Sequence, residues 1–544
     1  MQYGFIIDNR KCIGCHACTV ACKSEHDVPV GVNRTWVKQT EKGEYPNTRR
    51  VFSVLRCNHC TDAPCVEICP TSALFIREDG IVDFDNRRCI GCKSCMQACP
   101  YDALYIDPET HTAAKCNYCA HRIDVGLEPA CVNVCPEHAI ISGDMDNPDT
   151  EIAQLLSREQ VIVRRAEKGT SPNVYYINGD EASLNPSVTE RSESYIWSSQ
   201  TTGVGHFSKF AEELTNGKDL LEMAKEQNGM KKTPAISYSG EEHQRAPRTV
   251  EVIMNNKKTR RVYDTPDKGI LWGWEVSAYV WTKAIAAGLI LVPALSVLLG
   301  GGVFDGEGML WTGGLSMLFL VLTTILLVKD LDQPGRFIYV LLRPHWSSWL
   351  VKGGYALTGF GGLLTLMIVG FLMQNEMLAL IGFWGSAALA VIVAVYTAFL
   401  FAQAKGRDFW QSPTLAIHML VHSFMAGGGA LILIAYFLDR VPQLTFTLQM
   451  ILGGALIVNL LVLVFEVLTV HPTAHTKRAL KSILKGRYAT QFWLGSIIVG
   501  TIIPLALLIV GSVPAMAAAG LLMIIGVYFT EKVWVEAPQR IPLT

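Results

Sequence analysis

All 16 cysteines of this 544-residue chain lie between Cys12 and Cys135, and none follows in the long remainder. They divide into four groups of four with no cysteine left over. The groups are Cys12, Cys15, Cys18 and Cys22; Cys57, Cys60, Cys65 and Cys69; Cys89, Cys92, Cys95 and Cys99; and Cys116, Cys119, Cys131 and Cys135. Thiols this dense at regular spacing require short loops around shared centres, so they constrain the fold of the first part of the chain.

The spacing of these thiols indicates what they hold. The first and third groups read C-x2-C-x2-C-x3-C, the run in which three thiolates wrap an iron–sulfur cubane and the fourth reaches a neighbouring cluster. Zinc also binds C-x2-C pairs, but tetrahedral zinc sites use two separated pairs rather than triplets. A disulfide scaffold requires export, and the N-terminus MQYGFIIDNRK has too short an apolar core for a signal peptide. The spacing therefore predicts four [4Fe-4S] clusters.

The composition after about residue 270 indicates a membrane domain. Hydrophobic residues make up 50% of the sequence and concentrate after about residue 270, while 47 Lys plus Arg against 48 Asp plus Glu argue against a nucleic-acid partner. Eight apolar stretches are long enough to cross a membrane: 272–299, 309–328, 349–373, 378–402, 414–438, 446–470, 490–511 and 514–532. An even number of spans places both ends on one side.

These observations predict an α+β ferredoxin-like double lobe followed by an all-α membrane domain of eight transmembrane helices. Residues 1–145 form the four-cluster head, in which ALFIREDGIVDF and ALYIDPETHTAAK predict hairpins between the cysteine groups. Residues 269–544 form the membrane domain. The polar segment 146–268 is interpreted as an extension and tether, with an amphipathic helix at SKFAEELTNGKDLLEMAKEQ.

Basic residues are distributed unevenly between the two ends of the spans. The loops on the side of the head contain Lys329, Arg336, Arg343, Lys405, Arg407, Lys477, Arg478, Lys481, Lys485, Arg487, Lys532 and Arg540. The opposite loops contain only Arg440. By the positive-inside rule the head is expected on the cytoplasmic side of a bacterial or archaeal inner membrane.

The head resembles a known family. The 16-Cys pattern, the segments CNHCTDAPCVEICPTSAL and RCIGCKSCMQACPYDAL and the tail VRRAEKGTSPNVYYI resemble the four-cluster iron–sulfur subunit of molybdopterin oxidoreductases such as polysulfide reductase. The resemblance implies four ligand sets: Cys12, Cys15, Cys18 and Cys135; Cys22, Cys116, Cys119 and Cys131; Cys57, Cys60, Cys65 and Cys99; and Cys69, Cys89, Cys92 and Cys95. It also implies a separate catalytic subunit that carries molybdenum or tungsten.

The membrane domain resembles the NrfD/PsrC-type quinone-interacting anchor, in WGWEVSAYVWTKAIAAG and KDLDQPGRFIYVLLRPHWSSW. The chain is thus similar to two usually separate subunits joined in one. The resemblance implies electron transfer between the catalytic subunit and menaquinone or ubiquinone, and it leaves a dimer of the whole complex open. Several relatives carry their heads on the outer face, so the resemblance does not fix the side of the membrane.

Polar residues inside the spans indicate where a quinone binds. No haem is expected, because His418 and His422 lie four apart on one helix whereas a transmembrane b haem takes histidines from two helices. Electrons must then reach the quinone directly from the iron–sulfur side. The ionisable residues near that side are the candidate quinone ligands: Glu275, Tyr279, Asp330, His418, His422 and Glu466.

Each candidate also has a structural interpretation. Glu275 can pair with Lys283, His418 and His422 can be satisfied core residues, and Asp330 can brace its loop. Trp272, Trp274 and Trp281 are interpreted as interface belt and packing. Two other functions remain open: a redox-driven ion-translocating module, and the anchor of a nickel–iron hydrogenase.

Overall fold

The computed structural model describes residues 1–44, 46–189, 259–301, 305–438 and 445–544. An α+β head precedes an all-helical membrane domain, as the sequence predicts. The amphipathic helix predicted at 208–227 and Arg440 lie outside the described residues.

Eleven strands lie in the described part of the head: β1 Tyr3–Asp8, β2 Thr35–Glu44, β3 Asn47–Arg56, β4 Leu74–Ile76, β5 Val82–Phe84, β6 Leu104–Ile106, β7 Ala113–Lys115, β8 Ile140–Asp144, β9 Val161–Val163, β10 Val174–Ile177 and β11 Thr259–Tyr263. The short helices are α1 Ala17–Glu25, α2 Pro64–Glu67, α3 Ser94–Ala98, α4 Ala120–Ile123, α5 Ala130–Asn133, α6 Glu151–Arg158 and α7 Glu181–Leu184. A single 3₁₀ turn, Ala166–Lys168, lies among them in the described head.

Two larger sheets frame the head. The first has the order β8-β1-β10-β9, with β1 parallel to β10 and antiparallel to β8. The second has the order β11-β2-β3, in which β2 and β3 form a long antiparallel hairpin. As predicted, β4 pairs with β5 and β6 pairs with β7 as small hairpins between cysteine groups.

The described parts of segment 146–268 differ from the predicted extension. Residues 161–163 and 174–177 are strands of the first sheet, and 259–263 add an edge strand to the second. The physical reason is that the central strand β1, whose Phe5 and Ile7 are fully buried, needs a partner on each side. β8 supplies one partner and VYYI, as β10, supplies the other, while VIV, as β9, pairs with β10. The head therefore extends well beyond residue 145.

Within the described ranges, eight helices are long and apolar enough to cross a membrane, which confirms the predicted count. In chain order the spans are Trp274–Leu298, Gly306–Lys329, Trp349–Leu372, Glu376–Gln403, Leu415–Phe437, Phe446–Leu468, Gln491–Val510 and Val513–Arg540. The sixth helix itself begins at Thr445. The seventh span is π-helical over Gln491–Ile502 and α-helical over Ile503–Val510, and the eighth is α-helical over Val513–Glu536.

Span 1 lies at the centre of the bundle, and 83% of the residues in its most apolar stretch are buried. It packs against spans 2, 4, 5 and 8. Its backbone comes close to span 5 at Gly288, where a Cβ would overlap the carbonyl of Ser423. Small residues permit this approach, as is usual between helices in lipid. The polar side chains of spans 1 and 5 therefore face one another across a short distance.

Short helices connect the spans on the side of the head: Pro334–Arg336 and Tyr339–Leu342 after span 2, Asp408–Gln411 after span 4 and Ala474–Leu484 after span 6. The 3₁₀ turn Ala537–Arg540 ends span 8. One hydrophobic core runs from the head into the bundle. It joins Cys57 and Cys99 to Trp272, Tyr279 and Trp534. The head and the membrane domain are thus packed directly against each other.

Candidate functional site

Four thiols of the head surround one cavity. Cys57, Cys60, Cys65 and Cys99 line it, together with apolar and backbone atoms of the neighbouring loops. Burial is the main cause that raises the pKa of Cys60 to about 12. Thiols in such a place are costly to ionise without a cation, and a cluster of iron supplies that charge. The residues fit a [4Fe-4S] cluster.

The other cysteines also gather into sets of four. Cys12 interacts electrostatically with Cys15 and Cys135, and Cys18 with both Cys12 and Cys15. Burial first, and then neighbouring thiols, raise the pKa of Cys18 to about 12. The structure therefore brings the last cysteine of the fourth group beside the first three of the first group.

Two further sets repeat this arrangement. Cys22 interacts with Cys116, Cys119 and Cys131, and burial raises the pKa of Cys119 to about 12. Cys69 acts on each of three neighbouring thiols, Cys89, Cys92 and Cys95. We call the four sets quartets: the first is Cys12, Cys15, Cys18 and Cys135; the second is Cys22, Cys116, Cys119 and Cys131; the third is Cys57, Cys60, Cys65 and Cys99; and the fourth is Cys69, Cys89, Cys92 and Cys95.

Electrostatic interactions between thiols of different quartets indicate the order of the quartets in the head. Cys18 of the first quartet interacts with Cys131 of the second. Cys116 of the second interacts with Cys57 of the third. The last step joins the third quartet to Cys95 of the fourth through Cys65. These interactions arrange the quartets in the order first, second, third and fourth.

The two ends of the series have different surroundings. Cys15 of the first quartet is exposed, and Cys12 and Cys135 are half-buried. Ile13 and Val20 beside them are large apolar side chains, 55% and 66% exposed. The first quartet therefore lies at the surface of the chain.

The fourth quartet lies against the membrane domain. The loop between spans 2 and 3, residues 330–348, wraps around it. Arg336 Nη1 donates to the carbonyl oxygen of Cys89 at 3.0 Å, and the backbone carbonyl of Cys69 is 2.8 Å from His345 Nδ1. The loop that carries the DLDQPGRF motif therefore packs against this quartet on the side of the membrane domain.

Trp272 connects the fourth quartet to the bundle. Its Nε1 donates to the Cys92 carbonyl at 3.1 Å, and its ring stacks on Phe401 and Trp410 at 5.7 and 5.5 Å. The side chain is only 4% exposed. Trp272 therefore agrees with the packing part of the prediction but not with an interface belt, and its indole N–H binds the head. Trp274, 49% exposed, is consistent with the belt.

Two of the predicted quinone residues lie at the junction between head and bundle. Glu275 pairs with Lys329 at 3.8 Å, whereas Lys283, the partner considered for it, lies deeper in the bundle. Asp330 caps span 2, and Lys93 of the head donates to its backbone carbonyl at 3.0 Å and lies 3.9 Å from its carboxylate. Burial raises the pKa of Asp330 to about 7.

The two histidines of span 5 share one buried polar cluster with a residue that the sequence analysis did not select. Their rings are 4.1 Å apart. The Oε1 atom of Glu531, on span 8, lies 2.6 Å from His422 Nδ1, and both side chains are less than 5% exposed. The Nε2 atoms of His418 and His422 are buried and have no hydrogen-bond partner among the described residues. Trp534 packs on His418 at 5.0 Å.

Tyr279 and Lys283 lie one turn apart on span 1, and both contact Thr397 of span 4. Lys283 Nζ donates to Thr397 Oγ1 at 2.7 Å and to the Ala394 carbonyl at 3.1 Å. Tyr279 lies close enough to Thr397 to interact with it. Glu531 lies close enough to interact electrostatically with both residues of span 1. Spans 1, 4, 5 and 8 therefore contribute to one buried polar cluster.

Glu466 lies apart from this cluster. Its Oε2 accepts from Ser412 Oγ at 2.9 Å and Thr414 Oγ1 at 2.6 Å, while His471 bonds its backbone carbonyl at 2.9 Å. It therefore ties the loop before span 5 to the end of span 6.

The six predicted residues fall into three places: the junction, the buried polar cluster and the Glu466 loop. Sequence reasoning did not select Lys283 and Glu531, which complete the buried cluster. An ionisable side chain inside an apolar span is itself a signal of function, and in VYFTEKVWVE it is present at Glu531. The predicted end of span 8 at residue 532 placed Glu531 at the membrane boundary instead.

Comparison with known proteins yields matches for both parts. Residues 11–74 and 49–145 match models of the 4Fe-4S dicluster domain, and residues 265–540 match the family model "Polysulphide reductase, NrfD". A tetrathionate reductase subunit of Salmonella typhimurium is 46% identical over 201 residues, which are 36% of this chain and 80% of that protein. One of the polysulfide reductase chains of Wolinella succinogenes is 41% identical over 181 residues, 32% of this chain and 94% of that protein. The arsenate respiratory reductase iron–sulfur subunit of a Shewanella species is 32% identical over 225 residues, 32% of this chain and 96% of that protein.

Proposed function

Because the chain belongs to the polysulphide reductase NrfD family and joins that membrane domain to a 4Fe-4S dicluster head, we propose that it passes electrons between a separate catalytic subunit and the quinone pool. It is an iron–sulfur electron-transfer component of a membrane oxidoreductase complex, and it is a multi-pass membrane protein. The proposal rests mainly on one observation: the cysteine quartets form a single series that begins at the surface and ends against the membrane domain.

Each quartet is proposed to hold one [4Fe-4S] cluster, with the four thiols as ligands. Such clusters supply one-electron transfer over short distances when bound. The fold places neighbouring quartets close together. This is indicated by electrostatic interactions in three pairs of thiols: Cys18 with Cys131, Cys116 with Cys57, and Cys95 with Cys65. All cysteines of the second and third quartets are buried, which limits the access of water to these two quartets.

A menaquinone or ubiquinone is proposed to bind beside the fourth quartet. A quinone needs hydrogen-bond donors at its carbonyls and a source of protons as its charge changes. In the buried polar cluster the Tyr279 hydroxyl can donate to a quinone carbonyl, and the ring nitrogens of His418 and His422 can accept from a quinol hydroxyl. Asp330 lies nearer the fourth quartet. Since the Glu531 carboxylate only accepts, the proton of a neutral His422 stays on Nδ1 and Nε2 is a free acceptor. Glu275 and Glu466 are proposed as flanking groups of the proton route.

The catalytic partner is proposed to dock at the opposite end of the series. The relatives named above are subunits of tetrathionate, polysulfide and arsenate reductases, which supports a separate catalytic subunit. A molybdenum or tungsten pterin on that subunit is proposed from the resemblance of the head to subunits of molybdopterin oxidoreductases. Exposed Cys15 and the apolar Ile13, Val20 and Val134 offer a surface for it. Substrate chemistry would take place on that partner.

The head is proposed to lie on the cytoplasmic side, by the excess of basic residues in the loops that contact it. Some of these residues have a second use. Arg336 binds the Cys89 loop, and Arg407 donates to Gln97 at 2.8 Å and to the carbonyl of Ile541 at 2.9 Å. A reporter fused to the C-terminus, active on only one side of the membrane, tests this proposal directly.

The main test is anaerobic affinity purification of the complex from its native membrane, followed by analysis for iron, molybdenum, tungsten and nickel. About sixteen irons per chain, with molybdenum or tungsten in a co-purifying subunit, is the expected result. Nickel in place of those metals would assign the chain to a hydrogenase. Iron far below that level together with stoichiometric zinc would refute the cluster assignment.

A further inference from the structure

A short sequence occurs twice in the head. Residues 56–60 read RCNHC and residues 115–119 read KCNYC. In each copy a basic residue is the last of a strand, Arg56 in β3 and Lys115 in β7, and it directly precedes the first cysteine of its group. Both basic side chains are at most 1% exposed. Buried cations are rare, so each needs an explanation.

Arg56 reaches away from its own quartet. The next residue along the chain, Cys57, belongs to the third quartet. The guanidinium instead lies at the second quartet, where Nη1 donates to Cys131 Sγ at 3.1 Å. It also interacts with Cys116 of that quartet and with Cys18 of the first. Its other face lies 4.4 Å from the ring centre of Phe5.

Lys115 makes the reciprocal connection. The next residue, Cys116, belongs to the second quartet. The Lys115 ammonium donates to the carbonyls of Val82 and of Cys116, the latter at 2.9 Å. The ammonium also lies close enough to Cys57 and Cys65 of the third quartet to interact with both by charge. Each cation thus extends from one quartet to the other at the middle of the series.

The Arg56 side chain is not neutralised in the usual way. Its Nε and Nη2 atoms are buried and have no hydrogen-bond partner in the described part of the chain. A guanidinium in such a place is costly unless negative charge lies close by. Four cysteinates around a [4Fe-4S] cluster carry that negative charge, and one more unit of it arrives with each electron. Fixed cations at this distance favour the more negative state, more strongly in a dry interior than in water.

We propose that Arg56 and Lys115 are a pair of crossed cations that raise the midpoint potentials of the clusters in the second and third quartets. The inference rests on the proposed ligand sets. Each reduction adds one electron and no proton, so the fixed charge acts on the potential itself. The two side chains therefore act on electron transfer through the potentials of the two clusters in the middle of the series.

The test is an anaerobic redox titration of the purified complex, followed by EPR of the reduced clusters. Arg56→Gln is expected to shift the midpoint of the second-quartet cluster to a more negative value, and Lys115→Gln to do the same for the third. Arg56→Lys keeps the charge and is expected to remain near the wild-type potential. Arg50→Gln, on the same strand but with an exposed side chain paired to Glu41, is the matched control and is expected to leave all potentials unchanged.

Two results would overturn the proposal. One is unchanged midpoints in Arg56→Gln and Lys115→Gln samples that retain wild-type iron. The other is loss of iron in both glutamine variants, which would make the cations necessary for assembly rather than for the potential. The wild-type spectrum separates this inference from the function on which it rests. Fewer than four cluster signals there would contradict the ligand sets, whereas unshifted variants contradict the cations alone.

Discussion

Replacement of Glu531 by glutamine tests the buried polar cluster. In the wild type the carboxylate accepts from His422 Nδ1 at 2.6 Å, between side chains that are 4% and 1% exposed. A glutamine amide can instead donate to Nδ1, which would move the proton of a neutral histidine to Nε2. The atom that faces the proposed quinone would then change from an acceptor to a donor. A buried hydrogen bond to a charged group contributes about 1.5–3 kcal/mol, which corresponds to roughly 10- to 150-fold in rate.

The assay is stopped-flow reduction of the oxidised complex by a menaquinol analogue, followed through the iron–sulfur absorbance. Glu531→Gln is expected to slow this reduction by about 10- to 150-fold and to leave reduction by dithionite unchanged. Glu376→Gln is the control, because Glu376 is exposed at the start of span 4, at the end away from the head. A wild-type rate with menaquinol in Glu531→Gln would refute the role of this cluster, and so would an equal loss with dithionite.

Three other variants test the remaining parts of the account. Cys135→Ser is expected to remove or convert only the cluster of the first quartet, with EPR showing the other signals intact; the loss of a second-quartet signal would contradict the pairing. Because burial raises the pKa of Asp330 to about 7, the native state binds more protons there than the unfolded chain between about pH 4 and 7, so stability falls as pH rises through that window. Asp330→Asn is expected to flatten this part of the dependence of melting temperature on pH, and an unchanged slope would be the contrary result. Arg336→Gln removes the hydrogen bond to the Cys89 carbonyl and is expected to make the complex release iron at a lower temperature. Arg343→Gln, in the same loop but at an exposed side chain, is the control. Release of iron at the same temperature in both variants would show that the loop does not stabilise the fourth quartet.

The parts of the fold that depend on local pattern could be predicted from the sequence. Regular thiol spacing determines cluster loops, and runs of apolar residues determine spans, because both depend on neighbours within a few turns of the chain. The observed span from Glu376 to Gln403 lies within two residues of its predicted ends. The hairpins at 73–84 and 103–115 followed equally from their alternation and turn residues.

The parts that depend on contacts distant in sequence could not be derived this way. Spacing alone does not show that Cys135 lies beside Cys12; that expectation came from family resemblance. The bond between His422 and Glu531 joins spans 5 and 8, and nothing near either residue indicates its partner. Trp272 gave the same difficulty, since a tryptophan at the start of a span normally indicates the membrane interface. Only the docked head shows that its N–H binds Cys92.

The central claim is that electrons pass between a membrane quinone and a series of clusters within this one chain. The most direct measurement is EPR of the anaerobically purified, oxidised complex before and after addition of a menaquinol analogue, without any other reductant. The account predicts that reduced [4Fe-4S] signals appear with menaquinol, and that they appear about 10- to 150-fold more slowly when Glu531 is replaced by glutamine. Clusters that dithionite reduces but menaquinol, over a range of pH and concentration, leaves oxidised would contradict it, provided that their midpoint potentials lie above that of the quinol.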